Sequence, residues 1–317
     1  MISNVKKKKK IKLNALELII CPILILYAIS LFFPLGWSFM TTFKHRFDFE
    51  NSGYFDLPNF DIWERFKLPF YDNYRILLTL FESPYGVSYF KGFNNIAVTE
   101  QDTPNLWVVL YNTVSYTIGT TIVFAFTSAL VAYLCAKYRY KFSGIVCFIV
   151  IFSITTPIVG AQPATLKILK QLGLFNRVYG QYIHQASFLS MYFLILYAFF
   201  EGLSNTYNEA AEIDGASQFR TMVSICMPMA LNMITTICLL IFVQRWNDYN
   251  TPLLYMPTKV TLAFVVWYNI AQNTSSPIQE WPKKFSALMV LAIPILLLFI
   301  FLKKRLMGNI SLGGIKE

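Results

Sequence analysis

Charged residues are scarce in this chain of 317 residues. They make up 14% of the sequence, whereas hydrophobic residues make up 56% and aromatic residues 17%. An ordinary soluble domain carries about 25% charged residues and needs them to cover its surface. The composition therefore excludes an ordinary soluble protein and indicates an integral membrane protein.

Residue patterns that carry catalysis or bind metals are also lacking. The two histidines, His45 and His184, lie far apart, and no Cys/His spacing suggests zinc. The chain has no Gly-x-x-x-x-Gly-Lys-Ser/Thr loop for nucleotide phosphates. No Ser-His-Asp or paired-carboxylate arrangement stands out. We therefore expect a non-catalytic subunit, with no metal site and no cofactor of its own.

Long apolar runs account for most of the sequence. A transmembrane helix needs about 20 predominantly apolar residues, and six runs meet or approach that length. We therefore predict an all-α polytopic membrane protein with about six transmembrane helices. The runs cover roughly residues 15–40, 106–135, 143–161, 183–203, 225–246 and 284–302.

The net charge of +10 is concentrated at alternate ends of these runs. Basic clusters lie at residues 6–12, 137–141 and 303–305, as in membrane proteins whose cytoplasmic loops are rich in Lys and Arg. The charge thus reflects topology and anionic lipid, not nucleic acid. We predict both termini in the cytoplasm and one transmembrane domain over residues 15–317. Residues 1–14 form a cytoplasmic N-terminus. Within the domain, 204–224 and 303–317 are cytoplasmic, and 41–105 form an extracytoplasmic insertion.

Two further segments have apolar residues at helical spacing but are too short to cross a membrane. They cover residues 164–174, which end at Gly173, and residues 259–272. We predict that both are amphipathic helices at the membrane interface.

A spaced motif occupies the polar stretch between the fourth and fifth runs. Glu-Ala-Ala at 209–211 is followed, in register, by Gly215, Ile225 and Pro228. This pattern resembles the EAA loop of bacterial binding-protein-dependent ABC importer permeases. Met227 stands where that family usually has Leu, which is a mild departure.

The residue types suit a rigid docking loop. We predict two short helices that turn at Gly215, because glycine permits a sharp reversal, with Ser204 or Asn205 capping the first helix. The resemblance implies the fold of type I ABC importer permeases. It also implies that the loop is the coupling helix, which docks in a cleft of a separate ATPase subunit. The coupling residues would be Glu209, Ala210, Ala211, Asp214 and Gly215.

Weaker matches extend this resemblance to roughly residues 105–317, but not to the insertion 41–105. They look like segments of the permeases that take up carbohydrates, maltose and multiple-sugar transporters among them. The matching segments are Asn112-Thr113, residues 172–176, Trp246-Asn247 with Pro252-Leu253, and the tail 312–317.

Polar residues at membrane depth are costly and are functional candidates by default. One group closes the fifth run, and a second lies in the first half of the fourth. The residues themselves fit two interpretations, which are contacts to a sugar or an interfacial belt of aromatic and basic side chains. The resemblance places substrate contacts on these two helices. The candidates for the substrate pathway are Gln244, Arg245, Trp246, Asn247, Asp248, His184, Gln185 and Tyr192.

The resemblance implies a permease subunit of the bacterial cytoplasmic membrane, forming half of the pathway of an ATP-driven importer. Its partners would be a second permease subunit in a heterodimer, two ATP-binding subunits that carry ATP and Mg²⁺, a solute-binding protein, a carbohydrate and membrane lipid. Two alternatives stay open. An ion-coupled secondary carrier needs acidic residues in mid-span, and a membrane enzyme or assembly factor needs a catalytic cluster.

Overall fold

The computed structural model describes residues 15–59, 69–79, 105–138, 141–156, 160–272, 274, 276 and 278–307. The regular secondary structure of these residues is helical throughout. The prediction of an all-α membrane protein is therefore confirmed. The basic segment 1–14, residues 80–104 of the insertion and the tail from 308 onward lie outside the described residues.

Fourteen helices occur in the described part of the chain. Two of them contain a π-helical turn, at Met222–Cys226 and at Tyr268–Gln272. In chain order the helices are α1 (Ala15–Thr41), α2 (Arg46–Asn51), α3 (Pro69–Thr79), α4 (Leu106–Lys137), α5 (Lys141–Thr155), α6 (Ala161–Gln171), α7 (Val178–His184), α8 (Met191–Gly202), α9 (Thr206–Ile213), α10 (Gln218–Met229), α11 (Leu231–Trp246), α12 (Asn250–Tyr255), α13 (Leu262–Gln272) and α14 (Trp281–Met307).

The six predicted spans take three forms. Helices α1, α4 and α14 each contain a stretch long and apolar enough to cross a membrane. The fifth run lies in a bent pair, α10 and α11, whose axes differ by 69°. The third and fourth runs form shorter helices: α5 has 15 residues and α8 has 12.

The fourth run is divided by a non-helical segment at residues 185–190. Helix α7 ends at His184, and α8 begins at Met191. Tight turns occupy the gap, since Ser187 N–H donates to the Gln185 carbonyl and Ser190 N–H donates to the Phe188 carbonyl, both at 2.8 Å. These local hydrogen bonds replace the helical ones after Gln185, whose own N–H still donates to the Gln181 carbonyl at 2.9 Å.

The two predicted interfacial helices behave differently. Helix α6 ends at Gly173 as predicted: Gly173 adopts φ +69°, and the Leu174 N–H bonds back to the Leu169 carbonyl at 2.9 Å. Its location at the membrane interface stays a prediction. Helix α13 differs, because residues 262–266 are all buried. Its N-terminal end is held by α4, where the Thr113 hydroxyl accepts the Leu262 N–H at 2.8 Å. It is therefore a packed helix of the protein interior.

The chain forms two compact units. Of the described residues, those within 1–75 and 280–289 form the first, and those within 76–279 and 290–317 form the second. In the first unit, Asn73 of α3 donates its amide to the carbonyls of Thr42 and Lys44, at 2.8 and 2.9 Å. The Phe43 and Phe70 rings stack at 4.7 Å. These contacts fix α3 against the turn that follows α1.

Helix α4 is the centre of the second unit, since α5, α7, α8, α11 and α13 all pack against it. Small side chains on α4 permit this close approach, and large side chains of α8 and α11 fill the space beside them. The buried core includes Ala129, Ala132, Tyr133 and Ala136 of α4, Phe193, Leu196 and Phe200 of α8, and Ile237 and Ile241 of α11.

The bend between α10 and α11 has identifiable causes. Pro228 lies in the last turn of α10 and lacks the N–H that would continue the helical ladder. The preceding turn, Met222–Cys226, is π-helical. Ala230, at the corner, is fully buried, and its N–H bonds to both the Cys226 and Met227 carbonyls. The bend is therefore buried and hydrogen-bonded within the protein.

Candidate coupling loop and substrate-pathway cluster

The motif residues fold as a helix-turn-helix, which we call the coupling loop (residues 204–224). Helix α9 ends in a Schellman turn: the Gly215 N–H donates to the Glu212 carbonyl at 3.0 Å, and the Ala216 N–H donates to the Ala211 carbonyl at 2.9 Å. Gly215 adopts φ +75°. The predicted turn at Gly215 is confirmed, and the motif needs glycine there because this backbone conformation is strained for other residues.

Both helices of the loop are anchored to the protein. The Lys137 ammonium, at the end of α4, donates to the Leu203 carbonyl at 2.6 Å and to the Asn205 side chain at 3.2 Å. The Ser204 hydroxyl accepts the Thr206 N–H at 3.3 Å, so Ser204, of the two predicted caps, bonds to α9. Ser217 caps α10 by accepting the Arg220 N–H at 3.3 Å.

The predicted coupling residues do not share one face. Glu209, Ala210, Asp214 and Gly215 are exposed, whereas Ala211 is buried against the chain itself. A partner can thus contact the first four directly, and Ala211 allows the loop to lie close to its own core.

Large apolar side chains add to the exposed surface of the loop. Sequence reasoning did not single them out, although an apolar residue in a polar loop is itself a signal. Ile213 is 86% exposed and Phe219 is 71% exposed. The exposed surface of the loop thus carries both apolar and acidic side chains, which suits docking to another protein.

A cavity of about 210 Å³ lies behind the loop, between it and the end of α4. The lining of this cavity is largely polar. The cavity separates part of α9 from the end of α4. The lining residues are Tyr133, Lys137, Tyr138, Asn208, Glu212, Gln218 and Thr221.

The second candidate site is the polar cluster at the end of α11. An Arg245 N–H donates to the Gln185 side-chain oxygen at 2.6 Å, and a second guanidinium nitrogen lies 3.9 Å from the Asp248 carboxylate. The Tyr116 hydroxyl of α4 donates to that carboxylate at 2.7 Å. The structure thus brings three predicted residues together and adds Tyr116, which sequence reasoning missed. A tyrosine in mid-span could have indicated it.

Asp248 also has a structural role. Its other carboxylate oxygen accepts the backbone N–H groups of Asn250 and Thr251, at 3.1 and 3.0 Å. It therefore caps the start of α12. Trp246 is likewise structural: it is buried, and its indole N–H donates to the Leu291 carbonyl at 3.0 Å.

The remaining predicted residues lie around this cluster. Gln244 is exposed and donates to the Tyr192 hydroxyl at 3.2 Å. Asn247 is exposed and donates to the Val243 carbonyl at 2.9 Å. The His184 ring packs against the Tyr255 ring at 5.4 Å.

Several buried polar atoms in this region have no hydrogen-bond partner among the described residues. His184 Nδ1, Arg245 Nε and both amide atoms of Gln181 are buried without a partner among them. Buried polar groups usually have a partner. The region therefore has donors and acceptors to offer a polar ligand or water.

Two other motif segments fix the surrounding loops. The Asn176 side-chain oxygen accepts the N–H and the hydroxyl of Thr258, at 3.1 and 3.0 Å, and the Asn112 amide donates to the Val260 carbonyl at 3.3 Å. These asparagines hold the segment between α12 and α13 in place.

Comparison with known proteins gives a consistent family assignment. Residues 125–311 match the family described as binding-protein-dependent transport system inner membrane component. A diacetylchitobiose uptake system permease of Streptomyces coelicolor is 24% identical over 294 residues, covering 92% of this chain and 86% of that protein. A polygalacturonan/rhamnogalacturonan transport system permease of Bacillus subtilis is 28% identical over 213 residues, covering 63% and 73%.

A solved structure shares the fold. The crystal structure of a bacterial ABC transporter involved in the import of the acidic polysaccharide alginate contains a chain that matches with a TM-score of 0.68 at 20% identity. The match covers 90% of this chain and 95% of the other.

Proposed function

This chain belongs to the family of binding-protein-dependent transport system inner membrane components, and we propose that it forms half of the translocation pathway of an ATP-driven carbohydrate importer. The carbohydrate is an oligosaccharide or glycan fragment. The relatives support this class, since those cited above are permease proteins of a diacetylchitobiose uptake system and of a polygalacturonan/rhamnogalacturonan transport system. The chain itself is a multi-pass membrane permease subunit.

The observation that carries the proposal is the continuity between the two candidate sites. The coupling loop leads directly into α10, which bends at Ala230 into α11, and α11 ends at the polar cluster. The loop is also bonded to the end of α4 through Lys137. A displacement of the loop would therefore reach Arg245 and Asp248 through helices, which transmit motion as rigid elements.

The energy source in this proposal lies on other chains. Two ATP-binding subunits dock on the coupling loop and hold ATP and Mg²⁺, because this chain has no phosphate-binding loop of its own. A second permease subunit completes the pathway as a heterodimer, and a solute-binding protein delivers the carbohydrate on the outside. Both termini of this chain lie in the cytoplasm, in keeping with its basic ends.

Within the cluster, Arg245, Gln185, Gln244 and Asn247 are the proposed substrate contacts, with His184 and Tyr192 beside them. Amide and guanidinium groups form directional hydrogen bonds to hydroxyl groups. Asp248 and Trp246 act through position, since both carboxylate oxygens of Asp248 accept hydrogen bonds from the protein and Trp246 is buried.

The test is co-expression with the neighbouring genes, purification of the complex and measurement of ATPase activity and uptake with candidate glycans. Glu209→Lys reverses the charge of an exposed loop residue and should reduce recovery of the ATPase subunit and abolish uptake. Glu201→Lys is the matched control, since Glu201 is an exposed acid at the end of α8, outside the loop. Normal ATPase recovery and uptake with Glu209→Lys would contradict the proposal.

An ion-coupled carrier is the competing function. It would transport substrate in vesicles without ATP when a proton or sodium gradient is imposed. The importer proposed here transports only with ATP inside, and dissipating the gradient leaves its rate unchanged. Uptake by this chain alone, driven by a gradient, would overturn the proposal.

A further inference from the structure

The chain that follows α1 folds back along that helix. The Phe55 ring lies 5.8 Å from the ring of Phe33 and 5.8 Å from the ring of Trp37, both on α1. The Trp37 indole N–H donates to the Tyr54 carbonyl at 2.8 Å. The segment 52–57, which we call the return loop, is therefore fixed against the side of α1 and not beyond its end.

The depth of the return loop follows from helix geometry. Helix α1 ends at Thr41, so at about 1.5 Å per residue Trp37 lies about 6 Å and Phe33 about 12 Å back from its end. Phe55 contacts both rings and lies between these depths. Tyr54, bonded to Trp37, lies close by.

The position of the membrane along α1 follows from its length and flanking charge. The 27 residues of α1 extend about 40 Å, whereas the hydrocarbon core is about 30 Å thick. Lys12 precedes the helix and keeps its first residues at one membrane surface. Glu17 is also a charged residue of the first turn, and the apolar stretch that follows it is Ile19–Thr41, about 35 Å long. The excess of this stretch over the hydrocarbon core is about 5 Å, which places Trp37 at the boundary between headgroups and hydrocarbon and Phe33 inside the hydrocarbon core.

The surface at this depth is apolar and exposed. Tyr54 and Phe55 are each 67% exposed, and Leu57 is 75% exposed. None of the most apolar window of α1 is buried within the protein. The side chains of the return loop thus continue the exposed apolar surface of a membrane-crossing helix.

Part of the backbone of the return loop is hydrogen-bonded within the protein. The Gly53 N–H donates to the Asp56 carboxylate at 2.7 Å, and the Asp56 N–H donates to the Gly53 carbonyl at 3.0 Å. The Tyr54 carbonyl accepts from Trp37. Polar groups paired in this way lower the cost of approaching lipid.

We propose that the return loop is a membrane anchor, in which Phe55 and Leu57 insert into the lipid leaflet at the end of α1 and Tyr54 lies at headgroup level. Aromatic side chains next to a transmembrane helix prefer this interface, and exposed apolar side chains continuous with a lipid-facing helix bind the same lipid. The anchor would hold the start of the 41–105 insertion at the membrane surface. This inference needs only that α1 crosses the bilayer, so it does not depend on the transported substrate.

The test measures lipid contact directly. Single cysteines replace Phe55 or Leu57 in a background without the five native cysteines, and each is labelled with a bimane fluorophore. The complex purified with its encoded partner subunits is placed in nanodiscs made with dibrominated phosphatidylcholine, which quenches fluorophores that touch acyl chains. Leu26→Cys, exposed on α1, is the positive control, and Ile213→Cys, exposed on the coupling loop, is the negative control.

The expected result is that labels at 55 and 57 lose at least half as much fluorescence as the label at 26, and several-fold more than the label at 213. Iodide in the buffer should quench them weakly. Two results would overturn the anchor: bromolipid quenching no greater than at 213, or protection from both bromolipid and iodide, which would mean that another protein covers the loop. If Phe55→Cys fails to assemble, Leu57→Cys decides the question, because its side chain is three-quarters exposed.

Discussion

The Tyr116 hydroxyl donates a 2.7 Å hydrogen bond to the carboxylate of Asp248. This bond joins the middle of α4 to the segment that follows α11, across 132 positions of the sequence. The same carboxylate caps α12 and lies beside Arg245. One carboxylate therefore fixes the relative position of three helices at the polar cluster.

Removing the Tyr116 hydroxyl tests this role. Tyr116→Phe keeps the ring but leaves the Asp248 carboxylate with one donor fewer, so we expect a loss of about 1 kcal/mol of stability, typical of a hydrogen bond between membrane helices. The measurement is the thermal unfolding midpoint in detergent. Tyr111→Phe, on the same helix but 71% exposed, should leave the midpoint unchanged. Equal midpoints for both variants would contradict the role of Tyr116.

The Gly215 turn can be tested by backbone conformation alone. A Cβ at Gly215 would meet no atom within 4 Å, but φ is +75° there. Gly215→Val should therefore strain the turn by about 1 kcal/mol or more, weaken ATPase docking and abolish uptake. Gly215→Asn should retain more activity, because asparagine tolerates this conformation.

The matched control for Gly215 is Gly202→Ala. Gly202 also has open space around its Cβ position, but it has no positive φ. Pull-down of the ATPase subunit and uptake should be normal in this variant. Normal docking and uptake in Gly215→Val would mean that the turn does not position the coupling loop.

The Arg245–Gln185 pair is expected to act in transport more than in folding. Arg245→Ala and Gln185→Ala each break the 2.6 Å hydrogen bond between α11 and the break before α8, and each removes a proposed substrate contact. We expect uptake to fall at least tenfold, with assembly intact by size-exclusion chromatography. Arg177→Ala is the control, since Arg177 is an exposed arginine outside the cluster. Undiminished uptake in both variants would favour the alternative of an interfacial belt.

The topology predicted from charge can be tested by labelling. Single cysteines at Tyr71, in α3, and at Ser217, in the coupling loop, are both exposed in the structure. In intact cells, an impermeant maleimide should label position 71 and not position 217, whereas permeabilised cells should give both. Labelling of 217 but not 71 in intact cells would reverse the orientation.

The sequence alone predicted the features that depend on local residue types. Long apolar runs indicate membrane-crossing helices, because a helix pairs all the backbone N–H and C=O groups of its segment within itself where lipid offers no hydrogen bonds. The spaced motif predicted the turn at Gly215, since only a few residue types tolerate its φ. Gly173 likewise ended α6 where expected.

Composition could not separate a buried helix from an interfacial one. Helix α13 has the periodicity of an amphipathic helix, yet residues 262–266 are all buried. The apolar pattern shows which residues avoid water but not whether lipid or protein covers them. That choice depends on contacts distant in sequence, such as the hydrogen bond from the Leu262 N–H to the Thr113 hydroxyl of a helix 149 positions earlier.

The tertiary structure alone decided which polar candidates act together. In sequence, Gln244 to Asp248 are five equivalent residues at the end of a run. In space, Trp246 is buried in its own protein, Asp248 caps a helix and bonds to Tyr116, and Arg245 reaches Gln185. Successive side chains on a helix are rotated by about 100° from one another. Adjacent residues therefore contact different neighbouring helices. The sequence therefore determined the membrane helices and the docking loop, and only the packing of α4, α7 and α11 determined the composition of the polar cluster.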